Sequence, residues 1–241
     1  MTEPDHWFEP IADHLGSAYL RYSFTKGTRQ EVDAVVEWLG LAPGMRVLDV
    51  GCGPGRHVLE LASRGITTHG IDISRTFVDI ARSNAVVNAT FERMDARHMT
   101  FDAEFDAVIC LCQGAFGLMT ANGNDLDVLR GIRRALKPGG RLALSAFSSY
   151  FAVKYHGAAS FDADSGVSHE VTEVKDESGR ATEVDLWTGC YTPRELRMLM
   201  DKVDMTVDHI YSVEPGAYLP APPTVESPEY LLIASATPFR R

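Results

Sequence analysis

Between Val47 and His57 an apolar run reaches Asp49 and then breaks into glycine at every second position, at Gly51, Gly53 and Gly55. This switch constrains the fold strongly, because a buried strand must deliver its end into a tight turn that opens a helix. The glycines remove Cβ where the backbone bends sharply or lies against a ligand, and Pro54 fixes φ as the helix begins. A nucleotide-like molecule suits such a turn. The dinucleotide fingerprint G-x-G-x-x-G, however, needs glycine where this chain has Arg56, which disfavours the nicotinamide-dinucleotide reading.

From residue 45 to 147 apolar strands alternate with helical patterns, the signature of right-handed βαβ units around a parallel sheet. Strands are predicted at 45–50, 69–73, 90–93, 107–111 and 141–146, with helices at 54–63, after Ser74 and at 126–137. Ser74 caps a helix that turns Phe77, Val78, Ile80 and Ala81 inward, and Leu129, Ile132 and Leu136 recur at helical spacing. Pro138-Gly139-Gly140 stops that second helix.

After Phe147 the rhythm changes. Segments 167–175 and 181–190 alternate in polarity around Asp176-Glu177-Ser178-Gly179, which predicts a hairpin. Thr192-Pro193-Arg194-Glu195 is a capping box for a helix over 193–203. Strands follow at 205–212 and 229–236, and the Pro-rich stretch 215–228 between them is predicted to be a loop.

The 241 residues carry a formal charge of −10, which argues against nucleic acid as a partner, since phosphate contacts need clustered Lys and Arg. Of the four cysteines, Cys110 and Cys112 sit in an apolar strand with no second pair or neighbouring His to complete a zinc site, so reduced thiols and no metal are expected. No apolar stretch is long enough for a bilayer span, and residues 1–10 lack the basic-then-apolar pattern of a signal peptide. A soluble cytoplasmic protein without a membrane partner, monomer or homodimer, is the expectation.

Five segments, in order, carry a family likeness: Leu48-Asp49-Val50-Gly51-Cys52-Gly53-Pro54-Gly55, Gly70-Ile71-Asp72-Ile73-Ser74, Met94-Asp95-Ala96, Phe105-Asp106-Ala107-Val108-Ile109 and Leu136-Lys137-Pro138-Gly139-Gly140-Arg141-Leu142. The chain thereby resembles the class I S-adenosylmethionine (SAM)-dependent methyltransferases, closely over about residues 40–147 and elsewhere only in layout. The resemblance implies an α/β fold: a seven-stranded, mostly parallel Rossmann-like sheet with helices on both faces. It also implies one domain, in which an N-terminal helical cover (1–40) and an inserted hairpin cap (148–191) flank the cofactor-binding core (41–147). Residues 192–241 complete the sheet.

The resemblance further implies SAM as cofactor, held by Gly51, Cys52 and Gly53, and a methyl transfer to an O or N atom of a small molecule. Asp49 either meets the cofactor's amino group or holds the turn; Asp72 either takes the ribose hydroxyls or caps the next helix. Ile73 lies on one adenine face. Asp95 and the Ala96 N–H address the adenine edge, and Leu111, Cys112 and Gln113 lie nearest the methionine half, Cys112 alternatively as strand-end packing. An in-line methyl transfer draws chiefly on alignment, so a protein base is optional. The candidates for one are His14, Tyr19, Tyr22, His98, His156, His169, Glu170 and Tyr191. Tyr19, Tyr22 and Phe24 either cover the cofactor or pack on the sheet edge, and the hairpin with Trp187 and Tyr191 is the expected substrate-facing cap. A SAM-binding sensor without turnover is the alternative.

Overall fold

The computed structural model describes residues 6–118, 125–155, 157 and 159–237. Helix α1 (Glu9–Leu15) and two 3-10 turns, Gly16–Arg21 and Ser23–Thr25, lead into α2 (Thr28–Leu39). Strands and helices then alternate: β1 (Arg46–Val50), α3 (Arg56–Ser63), β2 (Thr67–Asp72), α4 (Arg75–Ser83), β3 (Ala89–Arg93), β4 (Phe105–Cys110), α5 (Asp125–Ala135) and β5 (Leu136–Ser148). Beyond them come α6 (Ser149–Tyr155), β6 (Ser160–Asp162), the hairpin strands β7 (Val167–Lys175) and β8 (Ala181–Tyr191), and α7 (Pro193–Lys202). The chain closes with β9 (Met205–Glu214), β10 (Ala217–Ala221) and β11 (Glu229–Ala236).

The main sheet runs β10-β9-β11-β5-β4-β1-β2-β3. β1 through β5 are mutually parallel, while β11 runs antiparallel to both β5 and β9. A strand buried on both faces must be apolar throughout, and the period-2 alternation of β1 divides it between two layers. Leu48 and Val50 join Val108, Leu144 and Leu232 under α5 and α7 through Leu129, Ile132, Leu196 and Met200. Val47 joins Ile109, Ala143, Leu231 and Ile233 under α2 and α3 through Val35, Leu39 and Leu61. Asp49 belongs to this second face by the same alternation, so a carboxylate is carried into an apolar layer at the sheet's C-terminal edge.

Local chemistry sets the helix starts. Ser74 caps α4 by accepting from the Phe77 N–H, and Thr192 with Glu195 forms the complete capping box of α7. Such a cap contributes about 1 kcal/mol.

Two expectations are corrected. The stretch 215–228 is not loop throughout, because β10 forms at the sheet edge on β9 and adds an eighth strand. Pro220 is tolerated there because the ladder is irregular between Ala217 and Ala221, and an edge strand needs only one side's hydrogen bonds. The predicted helix over 126–137 ends at Ala135, and β5 begins with Leu136 opposite Phe105 before the Pro-Gly-Gly segment shifts register. The cap is also tied to the core: the end of β8 pairs in parallel with β5 through Phe147 and Ser148.

Candidate active site

The glycine turn is fastened to β2, since the Gly51 and Cys52 N–H groups both donate to Ile71 O at 2.8 and 2.9 Å. Gly51 has φ +75°, and a Cβ there would lie 1.9 Å from the carbonyl carbon of Gly114. Two backbones therefore touch at the floor of the site, and only glycine fits. Beyond β4 the chain makes a tight bend in which Cys112 and Gln113 both take left-handed φ, +53° and +55°. Such conformations cost non-glycine residues on the order of 1 kcal/mol or more each and are kept where the surroundings enforce them. The bend brings 111–114 against the glycine turn.

Above this floor lies a cavity of about 410 Å³, within the range of roughly 300–1,000 Å³ usual for small-molecule sites. Its floor is 51–54, Asp72 and 111–114; Trp7, Phe8, Tyr19, Tyr22 and Phe24 come over it from the N-terminal segment. The hairpin contributes Thr172, Val174, Leu186 and Thr188. Trp187 lies between two of these on the opposite strand face, stacked on His169 at 3.8 Å, because side chains alternate along a strand. A side recess of about 30 Å³ continues from Gly51 and Asp72 toward Ile73, Met94, Asp95 and Ala96.

On that side the acids are engaged. Asp72 accepts from the Gly53 N–H and the Ser74 N–H, each at 2.8 Å, so it ties the turn to the next helix and keeps one lone pair per oxygen. Burial raises its pKa to about 6 against the pull of those two bonds. Asp95 is buried enough to disfavour charge, but Arg97, through its backbone and guanidinium bonds, outweighs that and holds the carboxyl below its ordinary value. His98 adds an ion pair from the exposed side.

The opposite side of the floor holds a buried charged network. Arg56, whose identity excluded the dinucleotide fingerprint, turns back from the start of α3 to pair with Glu31 of α2 and donates to Thr28 Oγ1 at 2.9 Å and Cys112 Sγ at 2.8 Å. His57 Nε2 meets the same Glu31 oxygen at 2.9 Å, and the Gly216 N–H donates to its other oxygen at 2.9 Å. Burial opposes the Glu31 charge, yet the His57 bond and the Arg56 charge hold its pKa at about 2. Burial and Arg56 push His57 down to about 4, which keeps it neutral at pH 7. Donor atoms of Glu31, His57 and Cys112 lie within 4.8 Å of one another, a metal-like spacing the sequence did not reveal, but Arg56 already supplies a cation to both the carboxylate and the thiol.

Two further carboxylates here each keep one oxygen without a hydrogen bond among the described residues. Asp49 is 1% exposed and its Oδ2 has no hydrogen bond; burial, with the Asp72 charge, lifts its pKa to about 7 against Arg56. Glu229, at the start of β11, is 2% exposed, lines the cavity and has an unpartnered Oε1. Burial, reinforced by the Glu31 charge, lifts it to about 7, with Ser145 and Arg56 pulling the other way. A carboxylate poised near neutrality in a cavity is suited to hold or accept a proton.

Of the sequence-predicted residues, Gly51, Cys52, Gly53, Asp72, Leu111, Cys112 and Gln113 line the main cavity, and Ile73, Asp95 and Ala96 line the recess. Asp49 lies just beneath the floor. Among the base candidates Tyr19 and Tyr22 are on the cavity wall. The structure places the others elsewhere: His14 outside it, His98 in solvent, His169 with Asp185, Glu170 exposed on β7, and Tyr191 stacked on Phe116 and bonded to Asp125. His156 falls outside the described residues. Glu229 and the Glu31–Arg56 pair were missed. The one sequence signal for Glu229 is an acid opening an otherwise apolar strand, Glu229-Tyr230-Leu231-Leu232-Ile233.

Comparison with known proteins agrees with this geometry. A family model described as a methyltransferase domain matches residues 47–140. The putative methyltransferase YqeM of Bacillus subtilis is 31% identical over 128 residues, covering 52% of this chain and 51% of that protein. The chain spans about half the length of the first curated relatives it matches. Among solved structures, the CcbJ methyltransferase of Streptomyces caelestis aligns with a TM-score of 0.76 at 16% identity over 98% of both chains. The SAM-bound amino pentose methyltransferase CalS10 of Micromonospora echinaspora aligns at 0.65 and 19% identity over 92% of this chain and 96% of that one. Both likenesses are of fold. Residues 47–140 thus match a methyltransferase domain, and the sheet built around them has the fold of these methyltransferases.

Proposed function

We propose that this protein transfers a methyl group from SAM to an O or N atom of a small-molecule acceptor. The observation that carries this reading is the main cavity and its adjoining recess, which share Gly51 and Asp72 at one side, while a largely apolar chamber opens at the other. SAM, when bound, supplies an electrophilic methyl on a positively charged sulfonium.

The residues fit such a molecule. Asp49 Oδ2 is buried, unpartnered and placed under the turn, where a ligand ammonium, directly or through water, would satisfy it. The Gly51–Gly114 contact keeps side chains off the floor, so backbone meets ligand directly. In this reading Asp72 offers its remaining lone pairs to the ribose hydroxyls, Ile73 covers one adenine face, and Asp95 with the Ala96 N–H faces the adenine edge. Tyr19, Tyr22 and the N-terminal aromatics exclude water over the reacting atoms and orient the acceptor. The formal charge of −10 favours a metabolite over a nucleic acid. Among the described residues no helix is long and apolar enough to cross a membrane, which accords with a cytoplasmic role. We treat 1–241 as one methyltransferase domain in which the N-terminal segment and hairpin are covers.

Incubation with methyl-labelled SAM and a small-molecule extract of the source cells tests the reading. A labelled product outside SAM is expected, its mass naming the acceptor. SAM binding with no labelled product from any extract would favour the sensor alternative.

A further inference from the structure

The roof of the chamber is apolar and aromatic, yet its far wall ends in a buried carboxylate with no counter-charge of its own. Glu229 stands at the β11 end beside the C-terminal ends of β4 and β5, across the sheet from the Asp72 recess. The groups that could neutralise it are committed. Arg56 from α3 is bonded to Glu31, Thr28 and Cys112, and His57 is bonded to Glu31. Tyr218 from β10, buried, and Cys112, half-buried, are neutral groups that face each other at 4.0 Å. Glu229 thus shares the wall with Arg56, whose guanidinium is spent on Glu31 behind it. A buried carboxylate in this condition gains most from a ligand that brings both a positive charge and N–H donors.

We propose, on top of the methyl-transfer reading, that Glu229 is the anchor for a cationic nitrogen, and that the acceptor is an amine with an aromatic or apolar body, whose ammonium gives one proton to Glu229 before the freed lone pair takes the methyl and S-adenosylhomocysteine leaves. The ammonium donates to Glu229 Oε1 while Phe147, Trp7 and Tyr22 enclose the body. A hydroxyl acceptor of the same shape offers one donor and no charge, so it leaves the carboxylate undercompensated. Arg56 attracts free carboxylates and phosphates less than its charge implies, because that charge is already matched by Glu31.

The test compares 2-phenylethylamine with 2-phenylethanol, which share ring and chain and differ in the charged head. Titration calorimetry is run on the full chain at pH 8, with and without saturating S-adenosylhomocysteine. A charge-assisted bond to a buried carboxylate predicts a preference for the amine of about tenfold or more, falling to about threefold or less in Glu229→Gln. A smaller preference in the unaltered protein, no measurable binding of the amine at millimolar concentration, or a preference retained by Glu229→Gln overturns the proposal. The amine–alcohol comparison in the unaltered chain stands even where the variant is unstable. Affinity for S-adenosylhomocysteine is read separately. Its absence, with the amine preference intact, removes the methyl-transfer reading and leaves the ammonium site.

Discussion

The two sides of one cavity are finished to different degrees. Toward β2 and β3 both Asp72 oxygens hold backbone N–H groups, and Asp95 is clasped by Arg97. Toward β11, Glu229 Oε1 is buried without a hydrogen-bond partner among the described residues, and between the two sides Asp49 Oδ2 and Gln113 Nε2 are left likewise. Native proteins seldom leave such groups unmatched, because each costs about 1–3 kcal/mol. The contrast separates a side whose shape is fixed by the protein's own hydrogen bonds from a side completed by what it binds. The first kind suits a ligand that never changes; the second places specificity in the acceptor.

The floor where the halves meet gives the largest expected effect. Gly51→Ala forces a Cβ into Gly114 and an unfavourable φ, and should cost about 3 kcal/mol or more, read as a fall in denaturation midpoint with loss of S-adenosylhomocysteine binding. Retained stability would mean that the Gly51–Gly114 approach is not held in solution. Asp72→Asn sharpens the contrast. It should lower S-adenosylhomocysteine affinity about tenfold to a hundredfold and stability by about 1–3 kcal/mol, since one amide N–H then faces a donor. Unchanged affinity would move the ribose elsewhere.

The finishing of the other side is exposed by pH. Glu229 has a folded pKa of about 7 against an ordinary 4.5, so between those values the folded state binds more protons than the unfolded one, and stability falls as pH rises through the window. Asp49, at about 7, carries the same sign, whereas Glu31, at about 2, contributes stability that is lost only as pH falls below its unfolded value. Glu229→Gln should therefore gain on the unaltered protein, ligand-free, by on the order of 2 kcal/mol between pH 5 and pH 8. Equal shifts at both pH values would show that Glu229 is partnered in solution.

What could be read from the chain beforehand follows the distance over which each feature is determined. The β1 strand, its glycine turn, the Ser74 cap and the Thr192–Glu195 box depend on residues a few positions apart, and all form as predicted. Asp72 was legible by its place after β2, although its bonds to Gly53 and Ser74 were not. The Glu31–Arg56–Cys112 network joins three separate elements, so no local pattern marks it. Glu229 shows in the sequence only as an acid opening an apolar strand, because the antiparallel placement of β11 beside β5 is what brings its end to the cavity. β10 was concealed by proline, whose usual meaning is loop and whose exception, an edge, is a property of the assembled sheet.

The cavity roof is assembled from segments far apart in the chain, and they are joined at their rims by few polar links. Tyr22 Oη accepts from the Lys175 N–H at 3.2 Å, Arg21 donates to Asp176 O at 3.2 Å, and the Ser17 N–H donates to Glu177 at 2.9 Å. At about 1 kcal/mol apiece these bonds add modestly to the apolar packing of Ile11, Leu15, Val174 and Val184 beneath the seam, so opening it costs less than unfolding the sheet. Breathing along the seam should thus proceed many times for each global unfolding event, and the Lys175 amide would exchange with solvent deuterium on that faster clock. Ligand residence time then depends on how often the seam opens as well as on how tightly the floor grips what lies beneath it.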